Sequence, residues 1–430
     1  MQVLYARCAG LDIHKDTVVA CVRITGDDGH VERQVRTFET TTGRLLQLHD
    51  WLSSQEVTHV LMESTGVYWK PVWHVLEGNF ELQLANAMHV KNVPGRKSDV
   101  NDATWLADLL AHGLLRPSFV PPTPIQELRD LMRTRKQLVR ERVSHQQRID
   151  KVLQDANIKL GSVLSDTLGR SGRAILNAIV AGQNDPEKLA DLVSKRVKAT
   201  RQEMVEALRG HVTAHHRFML KLHLSQIDAL SKAITQIEEE AGERLAPFRQ
   251  AAALLTTIPG ISDMAATVIV SEIGVDMSRF PSAAHLISWA GLCPRSDESA
   301  GKRRSTRIRK GAPWLKTLLV QCAWSAVRAR GSYLRAKFLR LRARRGAKKA
   351  IVAVAAAILT SVYFMLNRGT EYKDLGAEYF TVLSRAKTTS RLVRKLNELG
   401  YQVELKAANE GDGVGPEAAE ERDEVGAQGG

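Results

Sequence analysis

The stretch "ARCAGLDIHKDTVVACVRITGDDGHVERQVRTFET", Ala6 to Thr40, decides the fold of the first part of the chain. Its opening half, "ARCAGLDIHKDTVVACVRI", is rich in β-branched and small apolar residues and reads as strand. "TGDDGH" supplies the glycines and aspartates of a turn, and "VERQVRTFET" pairs back as a second strand. Helix and strand signals alternate beyond it. "TTGRLLQLHDWLSSQ" reads as a helix with a threonine cap, "VTHVLMEST" as a buried strand, "GVYWKPVWHVLEGN" as a short helix and "FELQLANA" as another strand. "KSDVNDATWLADLLAHGLL" is a helix with Ala107, Leu110 and Leu114 on its apolar face. A hairpin followed by alternating helices and strands describes a mixed sheet flanked by helices.

Proline-rich "RPSFVPPTP" ends this unit, giving a first domain over 1–122. The segment 123–248 is read as a helical linker. Its first long helix carries Leu128, Leu131, Leu138, Ile149 and Val152. In its second, Leu220, Leu224, Ile227, Leu230, Ile234, Ile237 and Ala241 step by alternating threes and fours, which is heptad spacing. Two such helices joined by a helical tip predict an antiparallel coiled coil. A mostly helical domain follows over 249–400. The tail 401–430 is acidic and glycine-rich, a composition that favours disorder.

With 430 residues the chain can bury two or three cores, and its apolar share of 44% is ordinary for a soluble protein. The net charge of +14 and pI near 9.7 are not ordinary, and predict a polyanionic partner, nucleic acid first. Cys8, Cys21, Cys293 and Cys322 are scattered without metal spacing, which fits a reducing cytoplasm. The N-terminus lacks a signal-peptide pattern. "AIVAVAAAILTSVYFML", Ala350 to Leu366, is long enough for a marginal membrane span, but its alanine content and basic flanks favour a buried helix, so no membrane partner is expected.

Four carboxylates in the first domain have a suggestive layout. Asp12 lies on the first strand, Glu63 ends "VLMEST", and Asp99 and Asp102 stand three apart at a helix start. Such acids can converge at a sheet edge and suit one or two Mg²⁺ ions, which bind few protein ligands plus substrate phosphates. Two metals roughly 4 Å apart clamp the attacking and leaving oxygens of a phosphodiester. Each acid also has a plain structural reading: Asp99 as an N-cap, Asp102 as a first-turn charge, Glu63 as an edge solubiliser. Asp16 is a less favoured extra, and His14 reads as a neighbouring contact rather than a ligand.

"TIPGISDMAATVIVSEIG" has the form of a helix-hairpin-helix, in which Gly260 permits the turn and exposed N–H groups hold a phosphate. A packing corner between helices has the same sequence form. "RSDESAGKRRSTRIRKGAPW" fails the Walker pattern because Arg303 follows Lys302. What remains is a serine with small neighbours and a dense run of Lys302, Arg303, Arg304, Arg307, Arg309 and Lys310, which can neutralise a phosphate. Composition alone favours a DNA-contacting loop over the seat of a nucleophile.

"GLDIHKDT", "MESTGVYWKPVWHVLE", "GRKSDVNDATWLADLL", "TIPGISDMAATVIVSEIG" and "GLCPRSDESAGKRRSTRIRKGAPWLKTLL" occur in this order. Together they closely resemble the insertion-sequence one-ten family of transposases, the bridge-RNA-guided DNA recombinases, over about residues 7–120 and 250–365. The resemblance implies an RNase H-like (RuvC-like) domain with an Asp-Glu-Asp-Asp set at Asp12, Glu63, Asp99 and Asp102. It implies a separate transposase domain whose serine nucleophile matches Ser299. Here one residue separates that serine from the glycine where many relatives have none, and Ser296 and Ser305 stand as alternatives. It also implies a phosphoserine intermediate with a free 3′ hydroxyl and strand exchange through a junction. A site shared between protomers of a tetramer, and a structured noncoding RNA that pairs with target and donor DNA, follow as well. The rival enzyme is a RuvC-type nuclease or junction resolvase using the acids alone; the non-enzymatic rival is a basic nucleic-acid scaffold.

Overall fold

The computed structural model describes residues 2–405 apart from 64–65, 88–89, 91–92, 94–100, 116, 195, 295–296, 300–301 and 306. It falls into two units, Met1–Ala251 with Thr267–Pro281, and Ala252–Ala266 with Ser282–Gly430. The tail expected to be disordered lies outside the described residues from 406 onward.

The first unit is built on a five-stranded mixed sheet of β1 (Arg7–Ile13), β2 (Thr17–Thr25), β3 (Val31–Glu39), β4 (His59–Glu63) and β5 (Glu81–Ala85), in the order β3-β2-β1-β4-β5. The opening stretch therefore holds three strands and not the two expected. Its first half turns at His14–Asp16, where the His14 N–H donates to the Thr17 carbonyl at 2.9 Å. Asp16 is the single turn former in "HKD", with no glycine or proline beside it, so turn chemistry marks this turn only weakly. β1, β2 and β3 form an antiparallel meander, while β1, β4 and β5 run parallel. The parallel pairs need crossover helices. These are α1 (Thr42–Ser54) and α2 (Trp69–Leu76). Thr41 is the N-cap of α1, but its hydroxyl makes no capping bond.

Alternation along the strands gives the sheet two covered faces. Ala9, Leu11, Ile13, Val18, Ala20, Val22, Val60 and Met62 pack against Leu45, Leu48, Trp51, Leu52, Val72 and Leu76 of α1 and α2. On the opposite face lies α3 (Asp102–Ala111). Its Leu106, Leu109 and Leu110 cover Cys8, Leu61 and Ala85, and its Ala103 and Ala107 cover Cys21 and Val19. Leu114, expected on that apolar stripe, is 42% exposed, because the helix has ended before Gly113 turns the chain at φ +62°.

Two long helices, α4 (Thr123–Asp155) and, after the tip, a second over Ala214–Arg244, continue the unit. The tip itself comprises α5 (Leu160–Val163), α6 (Arg170–Val180), α7 (Pro186–Ala190) and α8 (Arg201–Leu208), so the second long helix is α9. Glu127 pairs with Arg244, Arg135 with Glu238, His145 with His223, and Asp155 with His216, an order that makes α4 and α9 antiparallel. Leu220, Leu224, Ile227, Ile234 and Ala241 are buried. Leu230 and Ile237 are half-buried.

Two further helices follow, α10 (Arg249–Thr256) and α11 (Asp263–Ile273). Glu272, at the end of α11, is 1% exposed. Arg133 of α4 grips it with two bonds of 2.8 Å, and Arg129 donates to the carbonyls of Ser271 and Glu272 at 3.1 and 2.6 Å. Burial pulls the Arg129 guanidinium down to about 10, against the opposing pull of the Glu272 charge.

The second unit contains α12 (Ala283–Ala290), a two-stranded ribbon of β6 (Asp297–Ser299) and β7 (Lys302–Ser305), and α13 (Pro313–Ala326). α14 (Tyr333–Arg345), α15 (Ala347–Arg368) and α16 (Tyr379–Glu398) complete it. α15 contains the apolar run weighed as a membrane span. It is the one described helix long and apolar enough to cross a bilayer, and half of its apolar window is buried. Val354, Ala355, Ile358, Leu359 and Val362 are fully buried, and α15 packs on α12, α13 and α14 as the central helix of this unit.

Candidate functional site

Register places the first two acids. β1 and β4 pair in parallel with Leu11 beside Met62, so Asp12 and Glu63 follow as the next residues of adjacent strands. Glu63 is itself in register with Ala85, whose side chain belongs to the face covered by α3. Asp12 lies opposite Val19, which packs against Ala103. Strand alternation thus sets Asp12 and Glu63 on the α3 face.

The helix comes to them through Gly10. A β-carbon there would lie 2.3 Å from the Ala103 carbonyl oxygen and 2.4 Å from the Ala107 nitrogen. Only glycine lets the first turn of α3 rest directly on β1, two residues before Asp12. Asp102 is the first residue of that turn. The N-cap is Asn101, whose side chain accepts from the Ala103 N–H at 2.9 Å, so the capping role considered for Asp99 is filled by Asn101. Asp99 lies outside the described residues.

Farther along α3, Asp108 accepts bonds of 2.9 Å from both Arg23 and Arg33. Arg23 is 3% exposed and also donates to Thr25 at 2.6 Å. This clamp and Gly10 fix the helix on the sheet. In the sequence the clamp has no local mark, and Gly10 is marked only as an isolated glycine inside a strand. His14 Nε2 lies 3.2 Å from Asp12 Oδ2, the neighbour contact expected of it.

These donors are carboxylate oxygens, the kind that Mg²⁺ takes, and Mg²⁺ needs few of them when a substrate phosphate completes its shell. The set fits that ion in kind. Among the described residues no group of three or more His, Cys, Asp and Glu side chains is close enough to hold a metal alone. The buried thiols are poor rivals as nucleophiles: burial pushes Cys8 up to about 12 and Cys322 up to about 11, so both stay protonated at neutral pH.

The basic stretch, expected as a loop, is a ribbon. Glu298 pairs with Arg303 and Ser299 with Lys302, with a register irregularity between Asp297 and Glu298. Ser299 ends β6 and only Ala300 and Gly301 join it to Lys302; those two residues, and Ser296, lie outside the described residues. Strand pairing continues at the base with a bridge between Pro294 and Ile308. The ribbon has no apolar face, so no period-two signal announces it. Lys302, Arg307, Arg309 and Lys310 are exposed, and Arg303 and Arg304 lie in β7. The Ser305 hydroxyl accepts from the Arg307 N–H at 3.2 Å.

Below the ribbon, two glycines cross. Gly291 (φ +72°) and Gly311 (φ +52°) approach so closely that a β-carbon on Gly311 would sit 2.4 Å from the Gly291 nitrogen. Lys316 of α13 donates to the carbonyls of Arg309 and Lys310 at 2.9 and 2.6 Å. The strand leaving the ribbon is thereby tied to a core helix. Gly260, at φ +88°, provides the tight turn expected of it. Its open side faces backbone, since a β-carbon there would meet the Ala326 nitrogen and Cys322 carbonyl of α13 at 2.6 Å. The hydroxyl of Ser262 caps α11 by accepting from the Ala265 N–H at 3.3 Å.

Two family models match the chain. A DEDD-type model described as "Transposase" matches residues 9–158, and one described as "Transposase IS116/IS110/IS902 family" matches 252–339. The chain is 24% identical over 373 residues to the transposase for insertion sequence element IS1111A of Coxiella burnetii, covering 85% of this chain and 90% of that one. It is 24% identical over 378 residues to the pilin gene-inverting protein of Moraxella bovis, covering 84% and 96%. A protein of insertion element IS110 from Streptomyces coelicolor is 30% identical over 173 residues, covering 40% and 38%.

Proposed function

This chain belongs to the IS110 family of transposases, enzymes that act on DNA, and from that premise we propose that it recombines DNA through a covalent phosphoserine link at Ser299, under the guidance of a structured noncoding RNA. The observation that supports the metal-dependent half of the reading is the convergence of Asp12, Glu63 and the first turn of α3 on one sheet face, through strand register and Gly10; the serine half rests on the match of its segment to the family. The domain plan is a RuvC-like acid domain over 1–122, a coiled-coil linker over 123–248, a transposase domain over 249–400 and a tail over 401–430.

Asp12, Glu63, Asp99 and Asp102 are the residues that would hold Mg²⁺, and the bound ion would supply positive charge to phosphate oxygens. Ser299 is the nucleophile: its Oγ bonds to phosphorus, the P–O3′ bond breaks, and the proton lost by serine is balanced by the one gained on the free 3′ hydroxyl. Lys302, Arg303, Arg304, Arg307, Arg309 and Lys310 hold the phosphate and oppose the charge that builds on it. The helix-hairpin-helix form around Gly260 supports a further backbone contact. The bond energy stays in the phosphoserine link, so rejoining needs no external energy source. A tetramer of paired dimers brings acids and serine together from different protomers. The absence of any base-reading module in the assigned contacts suits a division in which RNA reads sequence and protein grips phosphate.

The test is trapping of the protein–DNA adduct with Mg²⁺, guide RNA and donor DNA. Ser299→Ala is expected to abolish the adduct, and Asp12→Asn or Glu63→Gln to lower it on the order of a thousandfold or more. Retained strand cleavage by Ser299→Ala would return the reading to a RuvC-type nuclease, and loss only in Ser305→Ala would move the nucleophile. RNA that copurifies and maps beside the reading frame tests guidance.

A further inference from the structure

We propose that the corner between α14 and α15 is a second DNA-docking surface, separate from the ribbon, which grips the phosphate backbone of a duplex without reading its sequence. The inference rests on the DNA-acting reading above and extends it to residues that have no part in the chemistry.

Residues 282–368 contain 19 Lys and Arg against two Asp and Glu, which leaves 42 against 45 in the rest of the chain. The whole net charge of +14 is thus more than accounted for by one fifth of the sequence. The ribbon accounts for part of this excess. Another concentration lies at "RLRARRGAKK", Arg340 to Lys349, where α14 ends, Gly346 turns the chain at φ +80°, and α15 begins.

Arg342, Arg344, Arg345, Lys348 and Lys349 are all exposed. No carboxylate of the described residues forms an ion pair with any of them. Arg340 and Arg342 are braced instead on aromatic rings, 4.8 Å from the Phe380 centroid and 5.6 Å from that of Phe338. Bracing on a ring orients a guanidinium while leaving its charge unneutralised. The two helices pack against each other, so these cations are presented on a rigid corner rather than a loop.

Like charges crowded together repel, and binding a polyanion relieves that repulsion while releasing its counterions. The corner contains no aromatic, Asn or Gln residue between Leu339 and Lys349. Stacking of single strands uses aromatic side chains, and adenine edges are read by Asn and Gln amides, none of which this stretch supplies. A run of cations separated only by Leu341, Ala343, Gly346 and Ala347 suits the phosphates on the outside of a duplex.

The experiment uses the full-length chain with all four of Arg344→Ala, Arg345→Ala, Lys348→Ala and Lys349→Ala. Affinity for a duplex DNA is measured across a salt series in EDTA, where strand chemistry plays no part. The slope of log K against log salt is expected to become shallower by about one per cation removed, with a loss on the order of a hundredfold in low salt, equal for unrelated sequences. Thermal unfolding should match that of the parent. At saturating DNA the variant should still form the covalent adduct at the parent's level, with only its half-saturating DNA concentration raised. An unchanged salt slope, or a loss confined to RNA, overturns the proposal. Failure of the parent to form an adduct would sink the nucleophile reading, yet leave the binding comparison intact.

Discussion

The two units handle charge in opposite ways. In the first, arginines are tied to carboxylates: Arg133 to Glu272, Arg23 and Arg33 to Asp108, Arg135 to Glu238, and Arg201 to Glu187 and Asp191. In the second, between residues 282 and 368, cations outnumber acids 19 to two, and the described ones form no ion pair. Charge serves packing in the first unit and is left available in the second. Sequence-wide net charge conceals this, since the excess is local.

The comparison breaks most visibly at Glu272. Glu272→Gln leaves Arg129 and Arg133 facing a neutral amide at a 1% exposed position, and is expected to cost about 3–5 kcal/mol. Chemical denaturation measures it; a midpoint equal to that of the parent would mean that the pair does not hold α4 to α11. The same variant, once folded, should keep its salt slope for DNA.

Gly311→Ala tests the other side. The new β-carbon collides with backbone at 2.4 Å and must adopt a left-handed φ of +52°, a strain of about 1–3 kcal/mol. Adduct formation should fall further than stability, since the ribbon base moves while the helices keep their core. Equal loss of both would make the crossing a folding element and nothing more.

The smallest effect is expected at His223, 7% exposed between α4 and α9. Burial, then His145 and Arg148, hold its pKa below the ordinary 6.5. The unfolded chain therefore takes up this proton first, so the stability contributed is full above about 6.5 and declines as pH falls through that window. His223→Gln should make the drop in Tm between pH 7 and pH 5.5 smaller than that of the parent. An unchanged drop would assign the acid sensitivity to another group, such as His59, which burial also lowers.

The sheet was legible where apolar and β-branched residues run together, in β2 and β4, and where they alternate, in β5; Glu63 could be placed because it ends β4. The β1–β2 turn is hard to read because Asp16 is its single turn former, with no glycine or proline beside it. The ribbon was missed because both its faces are polar. Close approach leaves only a faint local mark: Gly10 under α3, Gly260 on α13 and Gly291 on Gly311 each matter for an atom that is not there, and no pattern names the backbone each one meets. Pairings such as Arg23 with Asp108 join residues 85 positions apart, beyond the reach of any periodicity.

The position of α15 has a consequence for biosynthesis. Its packing partners α12, α13 and α14 all precede it in the chain. When α15 leaves the ribosome its cover already exists, and its apolar surface need not wait for partners made later. The converse is that α12 and α13, which flank the ribbon, gain their shared core only after Arg368 has been added. A nascent chain ending earlier contains Ser299 and every cation around it, but lacks the helix against which their support closes.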